Sequence, residues 1–168
     1  MRRVLIIDTS VLCVWLKIPG KDECGAANDR WDYRRVDAMF TREKNEGTTL
    51  VLPLTTIIET GNHIAQAADL RYEKARELAN MMKMAADQTT PWAAFTEQSD
   101  LWTADGLNRL SNEWPELAAK KLSIGDCTIK QVAEFYAKAG YEVEITTGDA
   151  GLKAYQPSRP TPVPRRRQ

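Results

Sequence analysis

At 168 residues, 43% hydrophobic and 27% charged, the chain can build one soluble globular core but not two comfortable ones. Lys plus Arg and Asp plus Glu both total 23, yet four arginines sit in the acid-free last thirteen residues, leaving 19 basic against 23 acidic groups elsewhere. A body near −4 argues against a general nucleic-acid binder with a basic face, and the sequence predicts neither a membrane span nor a secretory leader. Cys13, Cys24 and Cys127 lack CxxC spacing, and an odd number points to free thiols and a cytoplasmic setting.

In chain order, residues 3–7 (RVLII) predict a short strand apolar on both faces, as at the centre of a parallel sheet. Ser10 is placed to cap a helix running to about Lys17, which Pro19 and Gly20 end. Residues 26–46, with Trp31, Val36, Met39 and Phe40 spaced among charges, predict an amphipathic helix stopped by Gly47. Thr49 to Leu52 is a second strand, Pro53 turns the chain, and 55–68 and 70–87 read as helices. A short strand is expected at 93–96, then helical turns interrupted at Gly106 and Pro115. A helix from about Asp126 ends at Gly140, YEVEITT forms a strand, and GDAGLKAY begins with a turn. Residues 1–155 make one domain; 156–168 make a Pro/Arg-rich flexible tail. Strands separated by helices imply an α/β fold, a three-layer sandwich around a central parallel sheet.

Four acids fall at the ends of these elements, where open α/β sheets bind ligands. Asp8 closes the first strand, Asp149 follows the last, Glu59 lies in the helix after the second strand, and Asp126 opens the helix before the last. Each has a plain structural role open to it: a helix cap for Asp8 or Asp149, a favourable charge at a helix start for Asp126, solvation for Glu59. Asp126 is the least comfortable in that role, because it lies three residues before Ile129 on the apolar side of its helix. An inward carboxylate costs several kcal/mol unless paired, and Lys130 is the nearest candidate. Glu59 shares a polar stripe with Asn62, His63 and Gln66, while Ile57, Ile58, Gly61 and Ile64 are assigned to the core.

LIIDTSVL, LPLTTIIETGNHI, LSIGDCTIKQVAEFYAKAG and VEITTGDAGL, with Thr147-Gly148-Asp149 in the last, resemble the four acidic motifs of the PIN domain. The resemblance covers residues 3–70 and 120–155. It implies a PIN-like sandwich acting as a metal-dependent ribonuclease, with toxins of the VapC kind as the first comparison. The segments 20–47 and 71–119 are long for the compact toxins, and the further terminal strand of many relatives is replaced here by the Pro/Arg tail.

The resemblance implies catalytic Asp8, Glu59, Asp126 and Asp149, with Asp8, Asp126 and Asp149 holding Mg²⁺ or Mn²⁺. Ser10 and Thr147 would steady those carboxylates by hydrogen bonds. His63, the only histidine, is expected on the surface, Cys127 in the core, and most of the five tryptophans in packing. A dehalogenase-type phosphatase would need a second Asp where Ser10 stands, and no GxxxxGK[ST] or GxGxxG occurs. The implied partners are RNA and an antitoxin or other regulatory protein, with homo-oligomers possible and no membrane. A non-catalytic PIN-like subunit of a defence or RNA-processing assembly is the alternative. The tail is expected to add salt-sensitive phosphate contacts.

Overall fold

The computed structural model describes residues 2–93 and 95–159. Its elements are β1 (Arg3–Ile7), α1 (Thr9–Trp15), β2 (Glu23–Cys24), β3 (Trp31–Asp32), α2 (Tyr33–Asn45) and β4 (Thr49–Val51). They continue with α3 (Leu54–Gln66), α4 (Arg71–Ala86), a 3₁₀ helix (Phe95–Trp102), α5 (Ala104–Ala119), α6 (Ile124–Lys138), β5 (Glu142–Thr146) and α7 (Ala150–Lys153).

Val4 to Ile7 are all fully buried because β1 is the middle strand of a parallel sheet ordered β4-β1-β5. Val4 pairs with Thr49 on one side and Val143 on the other. Period-2 alternation then divides the strands between two cores. Leu5, Ile7, Leu50 and Leu52 pack with Leu12, Phe40, Ile64 and Leu78 from α1 to α4. Val4, Ile6, Val51, Val143 and Ile145 pack under Ile129, Val132 and Tyr136 of α6. The sheet is thus flanked by helices on both faces, as the strand–helix alternation predicted, and α5 adds a smaller cluster through Leu110 and Leu117 against Leu122 and Cys127. No helix among the described residues is long and apolar enough to cross a membrane.

Several boundaries differ from the sequence reading. Asp8, not Ser10, occupies the N-cap position of α1. The predicted helix over 26–46 begins only at Tyr33, capped by Asp32, and the residues before it belong to a two-stranded hairpin, β2 against β3. Amphipathic spacing did not distinguish the two, because Trp31 packs against the same core as α2. In place of a strand at 93–96, Trp92 makes one isolated bridge to Leu50 and the 3₁₀ helix follows. α5 runs through both expected breaks. A Cβ on Gly106 would come within 2.4 Å of the Leu101 carbonyl oxygen, so this glycine serves a close approach rather than a break. Pro115 is exposed, which lets water satisfy the carbonyl it frees. Ile58, assigned to the core, is 54% exposed.

At the amino end of the sheet one cation gathers three carboxylates. Arg3 pairs with Glu43 at 3.0 Å, Glu142 at 2.9 Å and Glu144 at 2.5 Å, tying β1 to α2 and β5. Glu43 is 2% exposed and also accepts from Thr48 at 2.8 Å. Burial alone would raise its pKa, but hydrogen bonds from Thr48, Arg3 and Arg42 outweigh that and hold the carboxyl below its ordinary value. A depressed acid contributes stability that is complete above the unfolded pKa and fades as pH falls through the folded one. We expect Glu43→Gln to lower stability at pH 7 by about 1–3 kcal/mol. In urea melts across pH, the gap from wild type should narrow below about pH 4.

Candidate functional site

The carboxyl ends of β1 and β5 lie side by side, with Asp8 N donating to the Thr146 carbonyl at 3.0 Å. Just beyond them Asp8 is 6% exposed, and its Oδ2 accepts two hydroxyls, Ser10 and Thr147, each at 2.7 Å. Both hydroxyls also receive a backbone N–H from the turn after β5. Gly148 N donates to Ser10 Oγ at 3.0 Å, and Asp149 N donates to Thr147 Oγ1 at 2.9 Å. One carboxylate oxygen therefore fixes the turn that presents Asp149. The short polar run DTS after β1 supplies groups that face the next loop instead of extending the strand.

Asp149 caps α7, its Oδ1 accepting from Gly151 N at 2.7 Å and Leu152 N at 3.3 Å. Asp126 sits in the first turn of α6 in a reciprocal capping box with Ser123: Ser123 N donates to its Oδ2 at 2.7 Å, and its own N donates to Ser123 Oγ at 3.0 Å. It is half-buried, and the cap supplies the partner that its helical position had left unidentified. Lys130 does not serve it, pairing with Glu113 and Glu134 instead. Burial raises the Asp126 pKa, hydrogen bonds from Ser123 oppose this, and the charges of Asp8 and Asp149 add to the rise.

Glu59 reaches the same end from α3. Thr9 Oγ1 donates to its Oε2 at 2.8 Å, while Oε1 lies over Gly125, where a Cβ would stand 2.5 Å from it. Glu59 thus spans from the start of α1 to the start of α6, one residue from Asp126. A side chain at position 125 would expel it, so the glycine is required by close approach.

The four carboxylates share a pattern. Each has one oxygen held by the fold, while Asp8 Oδ1, Glu59 Oε1, Asp126 Oδ1 and Asp149 Oδ2 accept no hydrogen bond from the described residues. Among the described residues no Lys, Arg or His forms a salt bridge with any of them. Nor are three His, Cys, Asp or Glu side chains of the described residues already gathered as a metal site. The donor set still fits a hard divalent cation: oxygen only, unpaired, and with excess negative charge.

His63 is partly exposed on α3; burial and Lys21 lower its pKa, against the pull of Glu59. Cys127 is in the core as expected, its thiol pushed up to about 11 by burial. Sequence reasoning missed Thr9, Ser123 and Gly125. The Ser-x-x-Asp spacing of 123–126 was readable as a capping box; Thr9 and Gly125 owe their place to contacts 50 or more residues away in the chain.

An acid with a raised folded pKa weakens the protein above that pKa and ceases to do so as it takes up its proton. In metal-free buffer we expect Asp126→Asn to be more stable than wild type at pH 7. The difference should shrink as pH falls toward the unfolded value of about 4, in urea melts at several pH values with chelator present.

Compared with known proteins, the chain matches no family model, no curated protein and no solved structure.

Proposed function

We propose that the protein is a PIN-like, metal-dependent endoribonuclease that hydrolyses phosphodiester bonds at Asp8, Glu59, Asp126 and Asp149. The observation that supports this most is the shared pattern of the four acids: one oxygen anchored, one free, and no salt-bridge partner among the described residues. Charges arranged only for stability are paired or solvated singly. These converge on the end of the sheet where α/β folds bind ligands.

In this reading Asp8, Asp126 and Asp149 hold Mg²⁺ or Mn²⁺ through their free oxygens. When bound, the cation supplies charge to polarise the scissile phosphate and to make a water nucleophilic near neutral pH. Glu59, kept in place by Thr9, orients the attacking water through Oε1 and takes up its proton. Ser10 and Thr147 keep Asp8 and the Asp149 turn in register, so that the ligands need little rearrangement. Protonating any of the four acids removes a ligand or base, which makes activity fall in acid. The free thiols suit a reducing cytoplasm. Of the four tail arginines to which salt-sensitive RNA contacts are assigned, Arg159 pairs with Glu142 at 2.9 Å, and those at 165–167 lie outside the described residues.

Asp8→Asn and Asp149→Asn should each cut Mn²⁺-dependent cleavage of single-stranded RNA about a thousand-fold, equivalent to several kcal/mol of lost charge stabilisation, with circular dichroism unchanged. Near-wild-type rates in both variants would refute the assignment. Thr147→Val should cost about 10–100-fold in the same assay or in Mn²⁺ affinity. Thermal stability should rise with Mn²⁺ by about 2.7 kcal/mol at a hundred times the dissociation constant, and this gain should vanish in Asp8→Asn. Mn²⁺ stabilisation without cleavage of any RNA would favour the non-catalytic subunit.

A further inference from the structure

Beside the acids, on the flank of Asp149, a cleft of about 420 Å³ opens between the β2–β3 hairpin and the end of β5. Asn28, Asp29 and Trp31 line it from the hairpin, and Glu144, Thr146 and Lys153 from the body. We infer that this cleft is a nucleobase subsite, which seats the unpaired base next to the scissile phosphate; the inference rests on the ribonuclease reading.

Three features carry it. The first is Trp31, a half-buried ring in the cleft wall that is braced by the Arg35 guanidinium 3.8 Å from its centroid. Arg35 covers one face of the ring and fixes its orientation, and the part of the indole that lines the cleft offers a base of any identity a stacking contact. The second is Thr146. Val143 and Ile145 face α6, so strand alternation turns Glu144 and Thr146 to the opposite face, where the hairpin lies. Thr146 is 1% exposed and its Oγ1 has no hydrogen-bond partner among the described residues. A buried hydroxyl left unbonded is uncommon, and a base edge supplies the missing partner directly or through one water.

The third is charge. Two of the three carboxylates of the cleft wall are matched, Asp29 by Arg35 at 2.6 Å, and Glu144 by Arg3 at 2.5 Å and Lys153 at 3.3 Å, while the third, Asp149, belongs to the acid site at its edge. Lys153 is further engaged by the Ile145 carbonyl at 2.7 Å. With no spare cation, the cleft suits a neutral, flat, polar group better than a phosphate. The volume is in the range of small-molecule sites and larger than one base needs, leaving room for its ribose. The hairpin is held close to the acids. A Cβ on Gly148 would come within 2.7 Å of Gly25 N and 2.8 Å of Cys24 Sγ, so the turn that carries Asp149 and the hairpin that carries Trp31 touch through backbone. A nucleotide whose phosphate lies at Asp149 has its base beside Trp31.

The test is fluorescence anisotropy with labelled five-nucleotide homopolymers of A, C, G and U RNA, in chelator at low salt, on the full chain. Wild type should prefer one base. Trp31→Ala should weaken that binding about five- to a hundred-fold, and Trp31→Phe should retain most of it. Thr146→Val, with folding checked by circular dichroism, should flatten the preference among bases. Equal affinity of wild type for all four polymers, no binding to any, or a Trp31→Ala variant that binds as wild type would overturn the subsite. Binding with a base preference but no cleavage in Mn²⁺ would sink the nuclease reading and leave the subsite standing. Cleavage by wild type with unchanged base preference in Trp31→Ala and Thr146→Val would do the reverse.

Discussion

The acid end of the molecule depends on the carboxylate of Asp8. β1 is buried on both faces, so the chain must leave the core at a residue that is still largely enclosed. A carboxylate there is tolerable only with hydrogen-bond donors close at hand. Ser10 and Thr147 are those donors, and because each also receives a backbone N–H from the 148–149 turn, solvating Asp8 and positioning Asp149 are one act. The same atoms that make the buried charge bearable set the distance between two strand ends.

The two ends of the sheet use charge in opposite ways. At the amino end Arg3 collects Glu43, Glu142 and Glu144, and acids from α2 and β5 become cross-links to the central strand. At the carboxyl end Asp8, Glu59, Asp126 and Asp149 form no salt bridge with a basic side chain of the described residues. Burial first, and the charges of Asp8 and Asp149 after it, raise the Asp126 pKa, whereas Glu43 at the other end is held below its ordinary value by its partners.

Much of this was legible from residues. The all-apolar run of β1 announced a strand enclosed on both sides, and Asp8, Asp126 and Asp149 stood out because each falls where an element begins, while Glu59 lies within α3. The partners Ser10 and Thr147 lie two residues either side of a candidate acid and were readable for that reason. The β2–β3 hairpin was not. Its strands are two residues each, too short for alternation to register, and Trp31 continues the apolar spacing of α2. α5 was hidden by two residues that normally break helices, one of which answers to a tertiary contact and the other to solvent. Thr9 and Gly125 could not be picked out from sequence, because what each touches is far away along the chain.

Among the described residues the hairpin adds no strand to the central sheet, and its ladder is internal, Glu23 with Asp32 and Cys24 with Trp31. It leaves the chain after α1 and rejoins it at α2, two helices that pack on each other without it. Residues 20–32 therefore behave as a cassette. Apart from Cys24 and Trp31, which pack on the core, and Asp32, which caps α2, their length and side chains can drift while the central sheet stays as it is. A lineage could vary this segment without rebuilding the sheet end, provided that position 148 remains small enough for the hairpin to rest against it.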